Sequence, residues 1–159
     1  MLNYSIEGGK QVEEALKALG NKVAKSVSNK ALRQGANILK EEMKAQAPVR
    51  SGALKKSIKV KKNNFDRDTK AQTYTVGPMG KVAFIARFIE YGTSTHKIKV
   101  GKMKVLANSK SGQIFGKEIN HPGLKPKPFI RPAFDSKKGT AVDKVTEVIR
   151  SEVNNFKGK

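Results

Sequence analysis

Apolar positions recur at helical spacing in some stretches of this chain and alternate with polar ones in others. Over residues 10–19, Val12, Ala15, Leu16 and Leu19 follow the i, i+3/i+4 rule, and Glu13 and Glu14 suit the positive end of a helix, so a short helix is expected there. Gly20 is its stop and Asn21 a fresh N-cap. From there to about Gln46 a longer helix is expected, carrying Val23, Val27, Ala31, Ile38, Leu39 and Met43 on its apolar side. Ala31, Gly35 and Ala36 are small, which lets another backbone approach closely. Pro48 ends the helix, because the residue before a proline is pushed out of the α region.

The period then changes. Ser57 to Lys62 alternates Ile58 and Val60 with polar neighbours, and Gln72 to Val76 alternates Tyr74 and Val76 with threonines, so two half-buried strands are expected. Residues 63–70 between them are polar and turn-like, and Gly77-Pro78 and Gly80 are expected to break the second strand. Residues 83–91 have the length of a strand. Phe84, Ile85, Phe88, Ile89 and an Arg87/Glu90 pair at i, i+3 favour a short helix. Residues 94–126 read as an insertion, with strands over 96–100 and 103–106, a turn at Asn108–Gly112 and a return strand from Gln113 to Ile119. That is a basic β-hairpin or an arm. A last helix follows, with Val142, Val145, Val148, Ile149, Val153 and Phe156 as its apolar stripe. It begins either at Pro132, an acceptable first-turn proline, or at Thr140, which opens a capping box with Asp143. The fold class expected is α+β: N-terminal helices and a C-terminal helix packed on a small, mainly antiparallel sheet. At 159 residues one domain over 1–159 is expected, with 94–126 as its basic insertion.

Charge changes this picture most. The formal net charge is +20, from 33 basic residues, of which 27 are lysine and six arginine, against 13 acidic ones. Residues 50–70 carry eight Lys/Arg against Asp66 and Asp68, and residues 94–128 carry eight against Glu118 alone. Lysine is a flexible point charge, whereas arginine is the fork that reads guanine and phosphate. The surplus therefore points to non-specific attraction to a polyanion or to an acidic protein face, or to a self-repelling soluble surface. No window approaches the ~20 apolar residues needed to cross a bilayer, and the N-terminus has no signal-peptide pattern, so no membrane association and use in the cytoplasm are expected. The absence of cysteine excludes disulfides, thiol nucleophiles and thiolate metal sites.

Candidates for chemistry are few. His96 and His121 sit in polar context with Glu118 as the one carboxylate in their segment, and they read as exposed loop histidines, not zinc ligands. Gly112–Glu118 has three residues between its glycines where a phosphate loop needs four, and a glutamate where Ser/Thr must hold magnesium. Glu41 and Glu42 face different directions on a helix. Glu90 has apolar neighbours and is expected to pair with Arg87 or a lysine, within a chain or between chains. No second polar partner for an acid–base role is visible. No catalytic residue, metal or cofactor is expected.

Three separated segments carry a resemblance. They are Ala47-Pro48-Val49-Arg50-Ser51-Gly52-Ala53-Leu54, Ala86-Arg87-Phe88-Ile89-Glu90-Tyr91-Gly92-Thr93 and Pro128-Phe129-Ile130-Arg131-Pro132-Ala133. In this order they resemble a siphophage family labelled minor tail component, neck protein or tail completion protein, over residues 10 to 155. The resemblance implies a non-enzymatic virion protein, assembled in the host cytoplasm: a ring subunit that completes the tail and joins it to the head. It implies a ring of its own copies, with six favoured and twelve the alternative, and the tail terminator, head-closure protein and tail tube as neighbours. Subunit-contact or motif residues are then Pro48, Arg50, Gly52, Arg87, Phe88, Glu90, Tyr91, Gly92, Thr93, Pro128, Phe129, Arg131 and Pro132. The basic arm would present Lys97, Lys99, Lys102, Lys104, Lys110 and Lys117 to a partner or to DNA. The competing reading is a basic protein that binds nucleic acid without sequence preference.

Overall fold

The computed structural model describes residues 20–64, 71–101, 105–107 and 111–157. The expected helix over 10–19 and the arm residues Lys102, Lys104 and Lys110 lie outside the described residues.

Two long helices form the body. Helix α1 spans Asn21–Gln46 and helix α4 spans Ile130–Lys157. They run antiparallel: Lys30 near the start of α1 bonds Glu152 near the end of α4 at 2.5 Å, and Glu42 near the end of α1 lies 4.0 Å from Lys137 in the first part of α4. The small residues read from the sequence lie at this crossing. Ala31 is fully buried and Ala36 nearly so, facing a helix that buries Ala133, Ala141 and Val148. A Cβ built on Gly35 would sit 2.6 Å from Val145 Cγ2 and 2.9 Å from the Ala141 carbonyl oxygen, so the two backbones meet with no space for a side chain. Helix α1 is preceded by Gly20 at φ 78°, which takes the N-cap position expected for Asn21 and offers no side-chain cap.

Between these helices the chain forms, in order, helix α2 (Ala53–Ser57), strands β1 (Ile58–Lys62) and β2 (Tyr74–Pro78), a 3-10 turn at Gly80–Val82, helix α3 (Ala83–Tyr91), and strands β3 (His96–Lys99), β4 (Leu106–Ala107), β5 (Ile114–Gly116) and β6 (Glu118–His121). The fold is α+β, with the strands divided into three two-stranded antiparallel ladders: β1–β2, β3–β6 and β4–β5. In the first, Ile58 pairs with Pro78, Val60 with Val76 and Lys62 with Tyr74, and α1 packs across it. The Tyr74 hydroxyl reaches the Asn29 carbonyl of α1 at 3.3 Å. Gly77 and Pro78 do not break β2; they extend it. In a two-stranded ladder every strand is an edge, and a proline is tolerated where the missing N–H faces outward.

One core cluster joins the three segments singled out in the sequence. Met43, Ala47, Leu54, Ile58, Ala86, Phe129 and Ala133 are buried together, with Val76, Ile89 and Ile130 packed against them. Phe129 is 1% exposed and is, with Ile58, the largest side chain fully buried. Ala47 and Leu54 come from the first segment, Ala86 from the second, and Phe129 and Ala133 from the third. These segments therefore act first as the parts of one core, and their exposed residues are displayed from it.

Candidate subunit interface

Helix α3 presents two faces of opposite character. Ala86 and Glu90, one turn apart, are buried, and Ile89 packs on the core. Phe84, Phe88 and Tyr91, at i, i+4 and i+7, face solvent at 60%, 45% and 61% exposure, and Ile85 beside them is at 39%. The Phe84 and Phe88 rings meet edge to face with centroids 5.9 Å apart. A helix that buries an alanine and a glutamate while exposing three aromatics inverts the usual arrangement. An exposed apolar patch of this kind marks a contact site more often than a free surface.

The buried face explains the inversion. Glu90 is 8% exposed, and its carboxylate accepts three backbone N–H bonds from the start of α4: Phe129 N to Oε2 at 2.8 Å, Ile130 N to Oε2 at 2.9 Å, and Arg131 N to Oε1 at 3.0 Å. A helix leaves its first four N–H groups without partners. Three of them here go to Glu90, and at the fourth position Pro132 has no N–H to satisfy. Ala133 then donates back to the Phe129 carbonyl, closing the first turn at 3.3 Å. The carboxylate charge also lies where the helix dipole is positive. Glu90 is thus a long-range cap that locks α3 to α4. The expected ion pair with Arg87 is absent: among the described residues Glu90 forms no salt bridge, and the Arg87 side chain is exposed. This cap also places the start of α4 at Ile130, upstream of both starts expected from local signals. The helix continues through Gly139 and Thr140 because the burial of Ala133, Ala141 and Val148 on both sides outweighs the ~1 kcal/mol that a mid-helix glycine costs.

Beyond α3 the chain turns at Gly92 (φ 73°), and Thr93 pairs with Leu124 in both directions, N to O at 2.9 Å and O to N at 3.1 Å. Lys127 N donates to the Ile89 carbonyl at 2.7 Å, so the segment returning from the arm lies along the end of α3. The glycines at this crossing are steric requirements. A Cβ on Gly92 would run into the Leu124 carbonyl and Pro126, and one on Gly123 (φ 84°) into the Thr93 and Ser94 carbonyls. Gly123→Ala is therefore expected to loosen the root of the arm, raising hydrogen exchange at the Thr93 and Leu124 amides about tenfold or more, since a left-handed non-glycine residue costs ~1–2 kcal/mol before any clash. Unchanged exchange at both amides would show that the crossing adapts.

The arm itself is the nested pair of ladders β3–β6 and β4–β5. Lys97 and Lys99 project from β3 and share Glu118 of β6, at 2.9 and 3.6 Å, and Lys117 is exposed between β5 and β6. Exposed lysines along such edges discourage stray strand pairing. The two histidines are cross-strand partners, not loop residues. His96 pairs with His121 in the register, their ring centroids are 5.0 Å apart, and His121 Nδ1 accepts the Gly123 N–H at 3.1 Å. No group of three metal-ligating side chains occurs among the described residues.

The remaining sequence candidates fall around this assembly. Pro48 and Arg50 are exposed between α1 and α2, and Gly52 (φ 73°) immediately precedes α2. Pro128, Arg131 and Pro132 are exposed around the buried Phe129. The Glu90 cap escaped sequence reading because its three donors lie 39 to 41 residues further along the chain. Two shallow grooves run along α1 and α4, one lined by Ile38, Glu42 and Lys137 and the other by Gln34, Lys144 and Ser151. No described helix is long and apolar enough to cross a membrane.

Comparison with known families matches residues 10–92 to the model described as "Bacteriophage HK97-gp10, putative tail-component". The match covers α1 through α3 and ends at Gly92, ahead of the arm and α4. No curated protein and no solved structure matches the chain.

Proposed function

We propose a joining role for this chain, which belongs to the HK97-gp10-like family of bacteriophage tail components: a structural subunit at the head–tail junction, repeated as a ring that completes the tail. The family is one of structural tail proteins, not enzymes. The observation that carries the finer reading is the display of unsatisfied surface from a tightly built body. The aromatic side of α3 and the basic arm stand out from a core to which all three signature segments contribute. A ring subunit repeats one heterologous contact until rotation closes it, so it needs two unlike faces and gains from an arm that reaches a neighbour. The arm, rooted beside α3 at Thr93–Leu124, supplies such a reach toward the next copy. Six copies are favoured, with twelve the alternative.

The charge of +20 opposes association of identical subunits in free solution and is offset when the chain docks on acidic neighbours. Purified protein at moderate salt is therefore expected to be monomeric or weakly associated by light scattering, with the ring forming on a template of other neck proteins. A closed ring of the isolated chain would contradict template-dependent assembly. The placement itself is tested by an averaged image of the neck of assembled particles. The expected result is a ring of this chain between head and tail tube, and absence of the chain from mature particles would overturn the reading.

The same charge supports a second reading, non-specific binding of duplex DNA. Lysine contacts of that kind weaken steeply between ~50 and ~200 mM salt, so a titration over that range measures it, and no affinity at the lower end removes it.

A further inference from the structure

The α3 face is short of one kind of group. Its four exposed side chains, Phe84, Ile85, Phe88 and Tyr91, leave on the order of 400 Å² of apolar surface in water, roughly half of the ~800 Å² that one partner brings to a stable interface. The rest comes from around it, and the described charged residues next to α3 in the chain or bonded to its end are all cationic apart from the buried Glu90. Lys81 precedes the helix, Arg87 lies on it, Lys125 and Lys127 lie on the segment bonded to its end, and Arg131 lies in the first turn of α4 that Glu90 caps. All five are exposed, and none has a carboxylate partner among the described residues. Between Thr69 and Phe134 the sequence holds twelve Lys/Arg against Glu90 and Glu118. The first of these is consumed by the helix cap and the second by Lys97 and Lys99.

The described surface of an identical copy offers little of what is missing. Of the described acidic residues, Glu41, Glu42, Asp135, Glu147 and Glu152 are each bonded to lysines of α1 or α4 in the same chain. With Glu90 and Glu118 engaged as above, Asp143 alone is without a partner. The described surface of a second copy would thus set one unpaired carboxylate against five cations, and the two whole chains would set +20 against +20. Duplex DNA would satisfy the cations and leave Phe84, Ile85 and Phe88 against a charged backbone. We infer that the α3 face docks an unlike, acidic protein: a surface with an apolar socket for Phe84, Phe88 and Tyr91, ringed by Asp and Glu that meet Arg87, Lys125, Lys127 and Arg131. An apolar centre with a charged, complementary rim is the ordinary anatomy of such an interface. This deepens the junction reading and rests on it for placing the partner in the virion. It assigns α3 to the contact with a different neck or tail protein and leaves contacts between copies to other surfaces.

The test uses the full chain and a 20-residue amphipathic peptide with leucine on one face and glutamate on the other, followed by hydrogen exchange at residues 84–91 and by titration. Slowed exchange on α3 is expected with this peptide, but not with poly-L-glutamate of equal charge nor with the leucine/lysine analogue. Phe84→Ser/Phe88→Ser, at exposed positions, is expected to weaken peptide binding at least tenfold with the circular dichroism spectrum unchanged, and Arg87→Glu/Lys127→Glu to weaken it comparably. Equal protection by poly-L-glutamate would overturn the apolar socket. Protection of α3 that grows with protein concentration alone would assign the face to a second copy, and protection by a 20-base-pair duplex without protection by the peptide would assign it to nucleic acid. No particle enters this assay. Failure here with the chain imaged at the neck sinks only the partner assignment, and success here with the chain absent from particles sinks only the junction.

Discussion

Glu90→Ala is expected to lower the unfolding free energy by about 3 kcal/mol, far more than any exposed carboxylate on the chain. A missing N-cap side chain ordinarily costs ~1 kcal/mol, and up to ~2 in unfavourable cases. Here three donors lose their acceptor at once, the Phe129 N–H is buried, and an unsatisfied buried donor costs ~1–3 kcal/mol. The loss of negative charge at the positive end of α4 adds to this, though these terms describe one contact and do not sum independently. For a chain of this length about 3 kcal/mol corresponds to roughly 6–12 °C in melting temperature. Glu90→Gln keeps one acceptor and turns an NH₂ group toward the same N–H donors, so it is expected to recover only part of the loss. Glu90→Lys places a cation at the positive end of a helix inside the core and is expected to prevent folding or assembly. Glu41→Lys is the control, because Glu41 is exposed and bonded only to surface lysines, where pairs are worth ~0–1 kcal/mol. Urea denaturation of the four variants checks the order. A loss below ~0.5 kcal/mol for Glu90→Ala would mean that α4 has no need of this cap.

What the sequence did and did not reveal about this site follows from the range of the interactions. Helix α1, strand β1 and the helical nature of residues 83–91 were legible because their periodicity lies within each segment. The nested ladders of the arm were legible in outline, from short alternating runs separated by glycine. The role of Glu90 was not legible. Thirty-nine residues separate it from Phe129, whereas Arg87 lies at i−3 and offers the local pairing that a sequence suggests. Pro132 marked the start of α4 to within two residues and lies in its first turn, whereas the capping box at Thr140 is internal to the helix, because the first turn is set by a carboxylate on another helix. The direction of α3 was hidden as well. Its pattern announces an amphipathic helix without saying which side meets the core. The side chosen is the one with Ala86, because Phe129 already fills the space there, and the aromatics are left outside. The exposed site is therefore a consequence of the core: Phe129 takes the interior volume, Glu90 takes the helix end, and Phe84, Phe88 and Tyr91 remain for a partner.

Gly35→Leu is expected to cost more than about 3 kcal/mol, through overpacking at the α1–α4 crossing. Replacing a mid-helix glycine by alanine ordinarily stabilises by ~1 kcal/mol, because glycine loses the most backbone entropy on folding. At Gly35 the sign reverses. The Val145 methyl at 2.6 Å can turn away, but the Ala141 carbonyl at 2.9 Å belongs to the backbone of α4 and moves only if the helix moves. Gly139 in α4 provides the matched comparison, since a Cβ there meets nothing within 4 Å. Gly139→Ala is therefore expected to raise stability by ~0.5–1 kcal/mol, and Gly35→Ala to lower it by ~1–3 kcal/mol, for the same chemical change in helices of the same pair. Leucine at 35 adds a branched side chain to a contact with no room for a methyl, so α1 and α4 must separate. Because α3 is tied to the start of α4 through Glu90, that separation also disturbs the helix carrying Phe84 and Phe88. Urea melts of the three variants measure the stabilities, and hydrogen exchange at residues 84–91 in Gly35→Leu measures the coupling. Stabilisation by Gly35→Ala equal to that by Gly139→Ala would show that the two helices are not in close contact at this point, and that the body of the protein is packed differently from the structure described.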